Sequence, residues 1–248
     1  MNGGEGMREY IEYISSITFR FIKPQTRWAQ LAWVNFTPWR KLGTSLEFAN
    51  TKIPERAAEM KDILRDICNI PRMSTFAIGA IINEGVSRMR EGKAFVNVGV
   101  WHGFTLLSGM ASNGHKRCIG IDTFSQYGSP LAAFGRRFRA FRKPSHEFYK
   151  MDCVKYFSAV HTGEIGLFFY DGRHSYENQL RALRSAEPFF SEDCMIIIDD
   201  TNYEEVRKGV RDFISSSSCH YQILFDITTS CNYHPTFWNG IMVLQRIP

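Results

Sequence analysis

The hydrophobic pattern changes character near residue 94. Ahead of it, Tyr10, Tyr13, Ile14, Ile17 and Phe21 recur at helical spacing, which predicts an amphipathic helix that Pro24 stops. Trp28, Trp33 and Trp39 follow closely, then a polar stretch. A second helix is expected over 54–67, with Pro54 in its first turn, where a missing N–H costs nothing. Pro71 interrupts the chain, and Ser74 is expected to cap a third helix reaching about Arg90.

From residue 94 onward, short apolar runs alternate with longer mixed segments. The runs 94–99, 118–122, 147–152, 165–171 and 194–199 read as strands, each ending in Gly or Asp. Segments 104–111, 130–142, 175–189 and 203–214 are long enough for helices. Strand–helix alternation predicts right-handed βαβ units around a parallel sheet, an α/β fold. The tail breaks this rhythm. Runs 220–227 and 237–245 have only a loop between them, which suits an antiparallel pair closing one edge. Serines 215–218 read as a loop after the last helix.

Composition narrows the class. The 248 residues are 44% hydrophobic and 22% charged, with 20 Phe, 10 Tyr and 5 Trp, so a disordered chain is excluded. No apolar run approaches the ~20 residues of a membrane-spanning helix. MNGGEGMREY has no apolar core of a signal peptide, and the expected compartment is cytoplasmic. Six cysteines show no CxxC pairing, so neither a zinc knuckle nor a disulfide framework is expected. The net charge of +5 is concentrated in residues 133–155, where seven cations face Glu147 and Asp152. Arg136, Arg137, Arg139, Arg142 and Lys143 fit the solvent face of a helix whose Phe134, Phe138 and Phe141 turn inward. They also fit a rim that attracts an anionic acceptor. No wider basic face with interleaved aromatics suggests nucleic acid.

Ligands of an open parallel sheet bind at the carboxyl ends of its strands, and here those ends carry Gly99, Asp122, Asp152, Asp171 and the Asp199-Asp200 pair. Each single aspartate could equally be a helix cap. The first loop, Asn97-Val98-Gly99-Val100-Trp101-His102-Gly103-Phe104-Thr105, is not GxGxxG, which argues against a pyrophosphate cofactor. Asp122 sits where a carboxylate accepts hydrogen bonds from ribose hydroxyls. Asp171 and Asp199 are 28 residues apart, the length of one crossover and strand, so their carboxylates are expected to converge. Like charges that close call for a cation or a shared proton, and oxygen ligands favour Mg²⁺. His174 is a candidate general base, with closure of the site mouth as the alternative.

The segments VNVGVWHGFT, IGIDTFSQYG, FFYDGRHSYE and MIIIDDTN resemble class I S-adenosylmethionine-dependent methyltransferases, nearest the macrocin O-methyltransferase-like and related small-molecule O-methyltransferases. The resemblance covers about 74–248. It implies a three-layer Rossmann-like fold with a mostly parallel seven-stranded sheet and a C-terminal antiparallel hairpin, divided as an N-terminal helical extension (1–72) and a methyltransferase domain (73–248). It also implies that Asn97, Gly99, Trp101, Gly103, Thr105, Asp122, Thr123, Asp152, Cys153 and Asp171 bind S-adenosylmethionine. Asp171, Asp199 and Asp200 would hold Mg²⁺, and His174, Asp171 and Asp199 would be catalytic. Asn97 stands where the family carries an acid. The expected reaction is methyl transfer to a small-molecule hydroxyl, of a sugar or secondary metabolite, with a second copy of the chain as a candidate partner. A cofactor-binding protein without transfer and a nucleotide-dependent oxidoreductase are the alternatives.

Overall fold

The computed structural model describes residues 3–27 and 39–247; Trp28 and Trp33 lie outside them. Before the sheet come α1 (Gly3–Ser16), β1 (Thr18–Phe19), α2 (Arg40–Asn50), β2 (Thr51–Lys52), a 3₁₀ turn (Glu55–Ala57), α3 (Met60–Ile63), α4 (Arg65–Cys68) and α5 (Phe76–Arg88). Then β3 (Ala94–Val98), α6 (Phe104–Met110), β4 (Arg117–Ile121), α7 (Leu131–Phe141), β5 (His146–Tyr149), α8 (Cys153–Ala159) and β6 (Ile165–Tyr170) follow. The chain closes with α9 (Tyr176–Ala186), β7 (Phe190–Asp199), α10 (Glu204–Ser216), β8 (His220–Ile227) and β9 (Ile241–Ile247).

The seven-stranded sheet runs β5-β4-β3-β6-β7-β9-β8. The first five strands are parallel, and β9 enters antiparallel between β7 and β8. Side chains alternate between its two faces, as the period of two requires. Phe95, Leu167, Phe169, Ile197 and Val243 pack with α5, α6 and α7. Val96, Ile119, Phe168, Ile196 and Leu244 pack with α8, α9 and α10. This is the expected three-layer α/β architecture. The chain leaves β3 towards β4 and β5, then returns to β6 on the other side of β3, and that reversal opens a crevice at the strands' carboxyl ends.

The N-terminal segment covers α5, which is buried at ten of its thirteen positions. Tyr10 and Ile14 of α1 join the same apolar core, and the Tyr10 hydroxyl donates to the Ile81 carbonyl at 3.0 Å. Behind it, fully buried Arg72 pairs with Glu47 at 2.9 Å, and Glu47 Oε2 also accepts the Phe76 N–H at the start of α5.

Several local expectations change. The first helix ends at Ser16 rather than near Pro24, because Thr18 and Phe19 pair with Lys52 and Thr51. Phe21 is consequently exposed. The helix expected over 54–67 is three short turns, and Thr75 rather than Ser74 caps α5. Helix α8 was not anticipated. Phe134 and Phe138 turn inward, but Phe141 at the end of α7 is exposed. Ser215 and Ser216 belong to α10, their hydroxyls bonding back to Arg211 and Asp212 carbonyls. Among the described residues, no helix is long and apolar enough to cross a membrane, and all six cysteines are free thiols.

Candidate active site

A cleft of about 420 Å³ opens at the carboxyl ends of β3, β4 and β6. Gly99, Trp101, Asp122, Thr123, Asp152, Cys153 and Asp171 line it, with His174 and Asp200. Asn97, Gly103, Thr105 and Asp199 are not in its wall. Their burial explains why: Asn97 is fully enclosed, its amide donating to the Gly99 carbonyl at 2.8 Å while its own oxygen has no partner.

Gly99 has φ +83°, and a Cβ there would lie 1.8 Å from the Asp171 carbonyl oxygen. Glycine is therefore required for the ends of β3 and β6 to meet, before any ligand is considered. Gly103 starts α6 at φ +103° with the Phe134 ring against it, close packing that leaves little room for a Cβ. Between them, Val100 and Trp101 each donate their N–H to Asp122 Oδ2 at 2.8 Å, and Phe124 N–H donates to Oδ1 at 2.6 Å. Asp122 thus ties the first loop to the second. A carboxylate has about four acceptor sites, so one on Oδ1 is left over by these three bonds. Asp152 proves to be the N-cap of α8, accepting from Val154 and Lys155 N–H groups. The neighbouring Cys153 thiol is pushed up to about 11, chiefly by burial, and stays protonated near neutrality.

At the other side of the cleft, Asp171, His174 and Asp200 present one ligand atom each, all within 4.8 Å of one another. His174 Nε2 lies 2.7 Å from Asp200 Oδ2, and the His174 ring stacks on Tyr203 with centroids 5.8 Å apart. The tight group therefore contains His174 where the sequence reading placed Asp199. The reason is backbone geometry. Asp199 ends β7 pointing into the protein, its Oδ1 accepting the Asp200 N–H while Oδ2 is buried without a partner. Asp200 takes a left-handed conformation, φ +61°, leaving the strand direction and turning its carboxylate to the cleft. Burial, then Asp199, Asp200 and Asp122, push the Asp171 carboxyl well above its ordinary range. Burial and Asp200 do the same to Asp199. Such crowding is relieved by positive charge.

Sequence reasoning missed Asn239. Its amide donates to Asp200 Oδ1 at 2.5 Å, so the β8–β9 loop fixes the carboxylate that meets His174. The only signal was Asn239-Gly240, a turn pair just ahead of β9, where Gly240 has φ +87°. The N-terminal segment braces the same loop, through a hydrogen bond from Ser230 N–H to the Pro24 carbonyl at 2.8 Å and a His234 contact to the Thr26 carbonyl.

His102, beside the first loop, is a packing residue. Its ring abuts Trp101, and burial with Arg137 nearby depresses its pKa to about 4. His161, enclosed by Phe157 and Phe189, is depressed to about 4 by burial and Arg117. Both are held neutral in the folded chain, whereas an unfolded histidine titrates near ~6.5. The unfolded state therefore binds more protons between these values, and stability present above pH 6.5 is lost as pH falls towards 4. Calorimetry is expected to show a smaller loss of Tm between pH 7 and pH 5 in a His161→Gln variant than in the parent chain. The same pH dependence in both proteins would contradict this account.

Residues 96–201 match a family described as a methyltransferase domain. No curated protein matches the chain by sequence. Among solved structures, a Corynebacterium glutamicum protein is similar at a TM-score of 0.55 and 15% identity, over 86% of this chain and 98% of that one. The O-methyltransferase TomG from Streptomyces achromogenes, involved in tomaymycin synthesis and solved with S-adenosylmethionine, gives 0.52 and 11%, over 85% and 97%. An O-methyltransferase from Bacillus cereus, solved with S-adenosylhomocysteine, gives 0.50 and 11%, over 76% and 90%. Identities this low carry the fold and no more. Residues 96–201, which carry the cleft from the Gly99 loop to Asp200, are thus similar to a methyltransferase domain, and they lie on a fold shared with the structures above.

Proposed function

We propose that this chain methylates a hydroxyl oxygen of a small molecule, as the macrocin-like resemblance implies. The observation that carries the reading is the His174–Asp200 pair, 2.7 Å apart in the same cleft as the Gly99–Trp101 loop and Asp122. The cleft suits S-adenosylmethionine. Its volume is in the range of small-ligand sites, and Asp122, Asp152, Asp171 and Asp200 give it a negative lining for a cationic ligand. Asp122 would accept from the ribose, Thr123, Asp152 and Cys153 would flank the adenine side, and the Gly99–Trp101 loop the methionine side. When bound, the cofactor supplies an electrophilic methyl carbon that already carries its leaving group. The protein's task is alignment and removal of one proton. His174 takes that proton, and Asp200, fixed by Asn239, orients the imidazole and stabilises its charged form.

The carboxylate crowding favours a second component. The Asp171 and Asp200 carboxylates would hold a divalent cation, leaving the His174 imidazole free to act as the base. Such an ion would lower the acceptor hydroxyl pKa and fix its position. Carboxylate oxygens of this kind suit Mg²⁺ and Mn²⁺.

Isothermal titration with S-adenosylhomocysteine and, separately, NAD distinguishes this reading from an oxidoreductase; only the former is expected to bind. Transfer of labelled methyl to a metabolite extract then distinguishes an enzyme from a binding protein. Binding of NAD in preference to S-adenosylhomocysteine would overturn the reading.

A further inference from the structure

The cleft mouth is built from aromatic rings held in an uncommon backbone state. Among the described residues, eight non-glycine positions have left-handed φ angles. Five of these are aromatic, namely Trp101, Phe124, Tyr127, Tyr233 and Trp238, and all five line this cleft. Bulky residues rarely occupy that region, and such outliers persist where the surroundings enforce them. Phe124 and Trp238 are buried as supports, while Tyr127 and Tyr233, 62% and 43% exposed, present their rings at the mouth beside Tyr203. Tyr203 in turn lies parallel to His174, tilted by only 15°.

Three amides near this mouth are committed to the frame. Asn202 bonds Thr229 and Asn232, Asn232 bonds the Tyr203 hydroxyl, and Asn239 bonds Asp200 and the Tyr233 N–H. Gln126, Arg173, Asn178 and Arg181 complete the lining of the cleft. The surface packed parallel to the His174 imidazole is the Tyr203 ring face.

Resting on the methyltransferase reading, we propose that the acceptor is a phenol whose planar ring stacks within the Tyr203–Tyr233–Tyr127 collar and whose hydroxyl meets His174. A lone pair of the phenolic oxygen forms the new C–O bond while the C–S bond breaks and its electron pair stays on sulfur. The phenolic proton passes to the His174 imidazole, so the products are an aryl methyl ether, a neutral thioether and an imidazolium.

Isothermal titration first measures S-adenosylhomocysteine binding. Labelled methyl transfer from S-adenosylmethionine is then measured to mono- and dihydroxybenzenes with and without a carboxylate, and to methyl glucoside and glucose 1-phosphate. Phenols are expected to accept methyl and the sugars not. Tyr203→Ala and Tyr233→Ala are each expected to raise KM for the phenol about three- to tenfold with S-adenosylhomocysteine affinity unchanged, and Phe at either position to restore it. Binding of S-adenosylhomocysteine with no phenol methylated overturns the inference alone. Failure of S-adenosylhomocysteine to bind overturns the methyltransferase reading and this inference with it.

Discussion

Replacing Asp122 with alanine is expected to weaken S-adenosylhomocysteine binding by about 100-fold or more and to remove the thermal shift that the ligand causes. Two effects act together. The ribose loses its charged acceptor, worth about 1.5–3 kcal/mol for a hydrogen bond of this kind. Val100, Trp101 and Phe124 also lose the carboxylate that receives their N–H groups. Trp101 holds a left-handed turn, φ +45°, tied by its own N–H to Asp122 Oδ2 and by its indole N–H to the Tyr127 carbonyl at 2.9 Å. The first loop should therefore loosen as the ribose contact disappears. Because these N–H groups are only partly buried, water replaces some of the loss, and the free protein is expected to lose no more than about 2–3 kcal/mol. Asp122→Asn keeps an acceptor oxygen of the same size but not the charge, and an intermediate loss is expected. Titration calorimetry on the two variants gives the answer. Unchanged affinity in the alanine variant would place the ribose contact elsewhere.

Some of this site is legible in the chain because buried parallel strands must be continuous apolar runs, and each run here stops at a polar residue. The extents of β3 and β6, both buried throughout, and the order of the longer helices between strands follow from that rule. Helix α8 escaped because its seven residues carry no helical stripe. Its real marker was Asp152, whose side chain caps it. The early stop of α1 depends on pairing between residues about thirty positions apart, which no local pattern carries. Asp199 and Asp200 show a subtler limit. Neighbours on a strand point to opposite faces, so two adjacent aspartates cannot both reach one cleft without a break in the strand. Which residue leaves the strand is decided by the left-handed turn at Asp200, and by Asn239 on a loop that sequence separates from it by 39 positions.

The carboxylates lead to the other large effect. Chelation is expected to abolish methyl transfer, and added Mn²⁺ or Mg²⁺ to restore it through the Asp171 and Asp200 carboxylates. Asp200→Ala is expected to lose both the cation and the partner of His174, while cofactor affinity changes little, since Asp122 and the Gly99 loop belong to β3 and β4. His174→Ala removes the base, and transfer is expected to fall by about 10²–10⁴-fold. The pH dependence separates charge crowding from the chemistry. In the chelated protein, Asp171 and Asp199 have carboxyls raised above their unfolded values. The folded chain then binds more protons than the unfolded one, so these two groups lower stability as pH rises from about 4 through their raised range. A bound divalent cation removes that penalty, and its stabilising effect should grow with pH and vanish in acid, where the carboxylates are protonated. Thermal melts with chelator and with Mn²⁺, at pH 5 and pH 8, measure both arms. If transfer is complete in chelator and Mn²⁺ leaves the melt unchanged at pH 8, then no cation takes part, and the His174–Asp200 pair activates the acceptor by itself.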